Sequence, residues 1–331
     1  MKLTLEQIAA FTKAYVLAAK QASSTFEITT NNLINAIDKI GKMVTIDGIY
    51  ADKLPELEGD NLPLGKTIEE WFMDLTMPQD YVEPTDSAFD PTTAIKPYFP
   101  STEKCYYSYT MKPRFVATSI KKNDVNKACL TEQGAGEVTA KILGRLEDSY
   151  QVTRYQEKRQ LLGNFATKAN AKGLVETLAI PTDTATGEAF IKSVKDAAEV
   201  ASDINEGNTL GDITAGAAPS LVLYIKKGIK SSLDVDTLAG AFNKEKLAIP
   251  ATVKVLPDFG TIMSSEASDA TDISDNVYAI LLDPRGVKLH NSYIDIDDNG
   301  NGAGNYRNYF KHFEDTGFIS MHTFIKVYKK A

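Results

Sequence analysis

The residues whose types and spacing most resemble a reactive site lie between positions 59 and 70. There the sequence is similar to the phosphate-binding loop of nucleotide-binding enzymes. That loop needs a glycine, four residues and then Gly-Lys-Ser/Thr, so that successive backbone N–H groups surround a phosphate. Here Gly59 and Gly65-Lys66-Thr67 are separated by five residues, and one of them, Pro63, has no N–H to donate. Two acidic residues, Glu69 and Glu70, follow where a nucleotide would be repelled. The spacing argues against phosphate, and a nucleotide-binding α/β enzyme remains only a distant alternative.

A second stretch has the ligand spacing of a calcium loop. Asp295, Asp297 and Asn299 place oxygen atoms at the first, third and fifth positions, and Gly300 stands at the sixth, as in an EF-hand. The twelfth position, where a bidentate glutamate is required, is Tyr306. A hairpin turn at Asn299-Gly300-Asn301-Gly302 explains the same residues more simply. We therefore predict no metal site here.

The remaining candidates for catalysis are few. His290, His312 and His322 are the only histidines, and no His-Glu-x-x-His or Gly-x-Ser-x-Gly pattern accompanies them. Each histidine is predicted to lie within or beside a strand in a structural role. The only cysteines, Cys105 and Cys129, are too few for a four-cysteine zinc site. The sequence predicts no enzyme and no cofactor.

The composition limits the class of protein. The chain has 331 residues, 43% of them hydrophobic and 24% charged, as in an ordinary globular protein. Its formal charge of -8 disfavours direct binding to nucleic acid, which needs a basic surface. Glu6 interrupts the N-terminus before an apolar run develops, and no later run is long enough to span a bilayer. We expect a soluble intracellular chain.

The elements that must position these residues fall into an α+β pattern. A capping box at 4–7 and apolar spacing at 33–40 predict two short helices, which together form an arm. Residues 43–100 carry seven prolines and two short strands, at 43–46 and 71–75. So long a stretch with little apolar periodicity is unusual inside a compact domain. We expect it to become ordered against another subunit.

The rest of the chain alternates between strands and helices. The longest predicted helix covers 132–165, about 50 Å at ~1.5 Å per residue, with Gly144 and Ser149 as kink points. A helix capped by Thr186 follows. A short helix is predicted at 234–242. Strands are predicted at 105–110, 114–120, 220–225, around Val253, at 277–282, 306–313 and 318–328.

Three groups of residues resemble, in order and spacing, the Hong Kong 97-type major capsid proteins of tailed phages, particularly those of phi-29-type podophages. No one group is diagnostic, but the three in register are. The groups are 62–70 followed by Leu75, Thr76 and Tyr81; 233–243 continuing into 253–259; and the aromatic stretch 305–310.

The resemblance implies a domain plan that agrees with the pattern of elements. It has an N-terminal arm, an extended loop, a peripheral domain with a long spine helix, an axial domain, and C-terminal strands that return toward the peripheral domain. In this sequence these parts would cover residues 1–42, 43–100, 101–180, 181–304 and 305–331, respectively.

The resemblance also implies roles and partners. The extended loop would lie over a neighbouring subunit, with Gly65 in its turn, Lys66, Glu69 and Glu70 facing opposite charges, and Trp71 anchored by burial. The chain would assemble with itself into pentamers and hexamers in the bacterial cytoplasm. With a scaffolding and a portal protein, it would form the virion capsid and enclose double-stranded DNA without binding it specifically. No membrane is involved.

The two ends of the chain suggest further expectations, and one related class of protein remains as an alternative. Because the chain ends soon after its last strand, we expect no additional C-terminal immunoglobulin-like domain. Because no long helical segment precedes the arm, we expect the scaffolding protein to be separate. An encapsulin-type compartment shell, which shares the fold but encloses protein cargo, remains the nearest alternative function.

Overall fold

The computed structural model describes residues 2–3, 45–46, 52–63, 68, 70–73, 102–104, 106–110, 113–121, 132–204, 207–211, 216–229, 249–260 and 273–331. The predicted arm helices and the predicted helix at 234–242 lie outside these ranges. The described helices are α1 (Glu132–Ala171) and α2 (Thr184–Ala201). The strands are β1 (Lys2–Leu3), β2 (Thr45–Ile46), β3 (Trp71–Met73), β4 (Thr102–Lys104), β5 (Tyr106–Thr110), β6 (Arg114–Lys121), β7 (Val175–Leu178), β8 (Val222–Lys226), β9 (Thr252–Leu256), β10 (Val277–Leu282), β11 (Val287–Asn301), β12 (Tyr306–Ser320) and β13 (Ile325–Lys330).

The long helix predicted from periodicity is confirmed and extends six residues further than expected. It is continuous through both expected kink points, Gly144 and Ser149, and the Ser149 hydroxyl donates to the Arg145 carbonyl, four residues back. The helix ends at Ala171, and Gly173, two residues further on, has a φ of +73°, the left-handed conformation common just after a helix C-terminus. There Leu174 N donates to the Ala169 carbonyl at 2.9 Å.

A five-stranded sheet forms the centre of the subunit, in the order β7-β13-β10-β8-β9. The middle strand, β10, matches the predicted range 277–282, and all six of its residues are buried. One face of the sheet packs against α1 through residues such as Val277 and Ile280. The other face packs against α2 through Tyr278 and Leu281. Because helices cover both faces, the strand reads as an uninterrupted apolar run.

The N-cap of the second helix lies three residues before the predicted cap. Asp183, and not Thr186, is the N-cap residue, and its carboxylate accepts a hydrogen bond from Thr186 N at 2.8 Å. The Thr186 hydroxyl in turn accepts from Asp183 N at 3.2 Å, which completes a reciprocal capping box. The expected cap is therefore wrong, since a threonine at the third helical position can complete a cap made by the aspartate before it.

A second sheet is built on one long hairpin, β11 and β12. The outer edge of β12 is shared by β6, which pairs with Tyr306–Phe313, and by β5, which pairs with its last residues up to Ser320. The expected break between 313 and 318 is wrong, because β12 continues through Asp315 and Thr316. The chain instead leaves the sheet after Ser320 and re-enters the central sheet as β13. Within the described residues, neither helix is long and apolar enough to cross a membrane.

Candidate functional site

The inter-subunit contact residues expected from the sequence are only partly described. Gly65, Lys66 and Glu69 lie outside the described residues. Trp71 begins β3, where it pairs with Lys104 of β4, so the strand predicted at 71–75 is confirmed at its first three residues. The indole is 61% exposed on this subunit. A large aromatic side chain is thus presented at the start of a two-stranded ribbon.

Glu70 contacts its own chain. Its carboxylate accepts a hydrogen bond from the Ser320 hydroxyl at 2.7 Å and from Met321 N at 3.3 Å, and it lies 3.8 Å from His322 Nε2. These contacts connect the residue before β3 to the end of β12. An additional charge contact from Glu70 to a neighbouring subunit remains a prediction.

The segment of residues 52–62, here called the strap, packs against its own subunit. Leu54 and Leu57 are buried in the core beneath α1. Glu56 accepts hydrogen bonds from the Tyr224 hydroxyl at 2.7 Å and from Lys254 Nζ at 2.5 Å. This part of the predicted extended loop is therefore ordered without a second subunit.

The strap then runs along the hairpin. Its contacts there give a structural reason for Gly59, the first glycine of the sequence that is similar to a phosphate-binding loop. Gly59 N donates to the Leu289 carbonyl at 3.0 Å, and Leu62 N donates to the Asn291 carbonyl at 2.8 Å. A Cβ on Gly59 would stand 2.5 Å from the His290 ring, so the close approach requires a glycine. The His290 ring in turn contacts the Asp60 carbonyl at 2.9 Å. Gly59 serves packing between strap and hairpin.

Two cations of α1, Lys158 and Arg154, form ion pairs with the strap. Lys158 is 1% exposed; its Nζ donates to Asp52 Oδ2 at 2.6 Å and to the Leu54 carbonyl at 3.0 Å, and lies 2.6 Å from Glu58 Oε2. Arg154 also pairs with Glu58. Buried charges of this kind need partners, because an isolated ion is costly to desolvate. The strap supplies those partners.

The same helix face continues the charged cluster toward the hairpin. Lys311 of β12 pairs with Glu147, and its Nζ lies 4.0 Å from the centre of the Tyr150 ring. Burial is the largest influence on both groups: it lowers the pKa of Lys311 and raises that of Tyr150, which stays a neutral phenol. The Tyr150 hydroxyl accepts from Asn291 Nδ2 at 3.1 Å.

The sequence contains a signal for this charged cluster, but an analysis of apolar spacing alone does not reveal it. Arg154, Glu157 and Lys158 lie at helical spacing from Leu161 and Leu162, on the face that packs inward. Charged residues at buried positions of an amphipathic helix point to ionic partners elsewhere in the chain. The identity of those partners, residues 52–58 and 311–315, depends on tertiary contacts.

The calcium-like spacing is not a loop in the structure. Asp295, Asp297 and Asn299 lie within β11, where alternate residues point to one face at roughly 7 Å spacing and do not converge. The turn is formed by 302–305, with Asn305 at φ 51°, so the turn predicted at 299–302 is wrong by three residues. Among the residues that the structure describes, no group of three or more His, Cys, Asp or Glu side chains could hold a metal.

The histidines lie as predicted, within strands or beside one. His290 belongs to β11, His312 to β12, and His322 follows β12 by two residues. On the outer face of the hairpin sheet, His312 packs beside Phe115 and Phe310 with ring centres 5.7 and 6.1 Å away. Phe115 is 60% exposed. This aromatic group is a second apolar surface suited to contacts with another chain.

Comparison with known proteins agrees with these features. A family model for Phi29-like phage major capsid proteins matches residues 3–327. The major capsid protein of Bacillus phage PZA is 23% identical over 324 residues, which cover 93% of this chain and 67% of that protein. That of Bacillus phage B103 is 21% identical over 286 residues, 85% of this chain and 59% of the relative. The chain thus spans about three fifths to two thirds of their lengths.

The fold also has a counterpart among solved structures. A chain in the capsid structure of Staphylococcus phage Andhra aligns with a TM-score of 0.63 and 12% identity, over 88% of this chain and 87% of that one. This similarity concerns the fold alone, and it agrees with the mixed helices and sheets described above. The resemblance expected from the sequence is confirmed by the family match over nearly the whole length. The chain belongs to the family of Phi29-like phage major capsid proteins.

Proposed function

We propose that this chain builds the icosahedral or prolate shell of a virion through a Hong Kong 97-type fold. The observation that carries the proposal is the family match over residues 3–327, which favours a phage shell over an encapsulin-type compartment. The same chain would occupy pentamers and hexamers. Scaffolding and portal proteins would take part in assembly in the host bacterial cytoplasm.

Contacts of α1 with the central sheet, the hairpin and the strap support a role for this helix as the spine of a peripheral domain. The division into arm, extended loop, peripheral domain, axial domain and C-terminal strands belongs to this proposal. The path of the chain supports a returning C-terminus, since it leaves the hairpin sheet after β12 and continues as β13 in the central sheet, next to β7.

Retention of DNA tests the proposed function. Particles would be purified from cells that express this chain with the products of its neighbouring genes, treated with nuclease, and examined by electron microscopy. A shell that protects genomic double-stranded DNA is expected. Particles that protect only protein cargo would instead support the encapsulin-type alternative, and a small oligomer with measurable nucleotide affinity would support the enzyme alternative.

The formal charge of -8 suits a shell through which DNA must move. Anionic or neutral lining would repel phosphates and let the DNA slide. This is a hypothesis about the inner surface of the assembled shell. A strongly basic inner surface in an assembled particle would contradict it.

Replacing Trp71 by alanine tests the loop contact. Because the exposed indole would become buried against a neighbour, Trp71→Ala is expected to reduce the yield of closed particles by about tenfold, as for loss of an interface anchor. Negative-stain microscopy and sedimentation would measure the yield. Gly65→Val, which would restrict the proposed turn, is expected to act in the same direction.

The matched control is Val200→Ala, which also shortens an exposed apolar side chain, at the end of α2. The melting temperature of unassembled Trp71→Ala subunits should stay within a few degrees of the parent, since the side chain is largely outside the core. Normal particle yield from Trp71→Ala would contradict the proposed contact.

A further inference from the structure

The contact between α1 and β12 buries two carboxyl groups side by side. The Glu157 side chain is 1% exposed, and that of Asp315 is fully buried. Each carboxyl group lies near enough to affect the titration of the other. No hydrogen bond from the described part of the chain reaches either Glu157 oxygen or Asp315 Oδ2. Two ionised carboxylates in such a position would repel each other strongly.

Charged or polar groups from β6, α1, β11 and the strap lie around this pair. From β6, Arg114 Nη1 lies 3.1 Å from Glu157 Oε1, and from α1 itself Arg154 Nε lies 3.5 Å from Asp315 Oδ1. From β11, Asn291 Nδ2 donates to Asp315 Oδ1 at 3.1 Å. From the strap, Glu58 adds a negative charge, and it is already paired with Arg154.

The charges of the cluster do not balance when every group is ionised. Its carboxyl groups outnumber its cations by one, so a single bound proton makes the cluster neutral. The carboxyl groups are those of Asp52, Glu58, Glu147, Glu157 and Asp315; the cations are Arg114, Arg154, Lys158 and Lys311.

The contacts also show where that proton belongs. Glu147 is paired with Lys311, while Asp52 and Glu58 are both bonded to Lys158. Among the described residues of this cluster, both oxygens of Glu157 and Oδ2 of Asp315 receive no hydrogen bond. A proton between those oxygens converts a repulsive contact into a hydrogen bond.

We propose that Glu157 and Asp315 form a buried proton-binding site that makes the docking of α1 on the hairpin sensitive to pH. With the proton bound, the acids bridge helix and hairpin. When it leaves, both remain charged in a site that water does not reach. The strap is affected as well, because Arg154 contacts both Asp315 and Glu58.

The titration of the pair agrees with this geometry. Burial, followed by the charge of Asp315, raises the pKa of Glu157 to about 7, and the nearby Arg114 and Arg154 oppose the shift only in part. Burial also raises the pKa of Asp315. Since the folded chain holds a proton that an unfolded glutamate releases near 4.5, this contribution to stability is present at low pH. It is lost as pH rises toward 7 and does not change further above it.

The test compares urea unfolding of the unassembled subunit between pH 5 and 8 with that of Glu157→Gln. For the parent, the unfolding constant attributable to this site should rise about tenfold per pH unit between roughly 5.5 and 6.5, which corresponds to one proton. Glutamine can donate its amide to Asp315 at any pH. The variant should therefore lack this slope, and at pH 8 it should be at least about tenfold more stable than the parent.

The control Glu188→Gln, on the exposed side of α2, removes the same charge and should keep the slope of the parent. If Glu157→Gln does not fold, infrared spectroscopy of the parent decides the question, since a protonated carboxyl has its own C=O stretch. That band should be present at pH 6 and absent at pH 8. An unchanged slope in Glu157→Gln, or no protonated carboxyl at pH 6, would overturn the proposal.

Discussion

Replacing Lys158 by alanine is expected to release the strap and to lower the free energy of unfolding by about 2–4 kcal/mol, somewhat less than the roughly 3–5 kcal/mol typical of breaking a buried ion pair. The ammonium group is bonded to Asp52, Glu58 and the Leu54 carbonyl, and its loss leaves all three oxygens facing a space that no cation fills. The partial exposure of the two carboxylates keeps the loss below that of a fully enclosed pair. Chemical denaturation of the unassembled subunit would measure it.

A second variant separates charge from packing. Lys158→Met keeps most of the apolar stem, so at least half of the loss should remain if the bonds to the strap matter more than the volume. Lys192→Ala, on the exposed side of α2, should change stability by less than about 0.5 kcal/mol. Hydrogen exchange at Gly59 and Leu62, whose amides bond to the hairpin, should become faster in both Lys158 variants. If Lys158→Met were as stable as the parent, the proposed role of the charge would be wrong.

Replacing Gly163 by alanine is expected to lower stability by about 2 kcal/mol net, despite the better helix propensity of alanine. A Cβ at this position would stand 1.6 Å from the Gly260 carbonyl oxygen and 2.6 Å from its carbon. Both are backbone atoms, so no side chain can rotate away. The segment after β9 would have to lift from α1, which would pull Phe259 from the core and strain the Arg159–Asp258 ion pair.

Thermal unfolding would compare Gly163→Ala with Gly300→Ala. Gly300 lies in the distal part of β11, where a Cβ would meet nothing within 4 Å, so its replacement should be close to neutral. Equal stability of the two variants would show that the helix and the crossing segment do not touch as described.

The sequence predicted those elements whose signal is local. The buried strand at 277–282 could be predicted because its apolar run is uninterrupted, and the long helix because apolar residues recur along it at helical spacing. The break expected within β12 was wrong because Glu314-Asp315-Thr316-Gly317 has the composition of a turn, whereas tertiary partners from β11, α1 and β5 stabilise it as a strand.

The contacts of the strap could not be predicted for a similar reason. Proline and carboxylates at 52–62 indicated a segment unable to fold by itself, and that interpretation is correct in one respect. The segment is ordered by long-range ionic contacts and not by its own periodicity. Its partners come from the same chain, a fact that the residues of the strap do not encode.

The strap also has a consequence for the order of folding. Its bonds join residues 106 positions apart, from Lys158 to Asp52, and 232 apart, from Lys288 to the Glu56 carbonyl. Contacts so distant along the chain form slowly, because the entropy of loop closure must be overcome first. During synthesis the strap leaves the ribosome long before its hairpin partners exist. In pulse-labelled hydrogen exchange during refolding, we expect the amides of α1 to become protected before those of the strap. The strap would then be the last part of the monomer to become ordered.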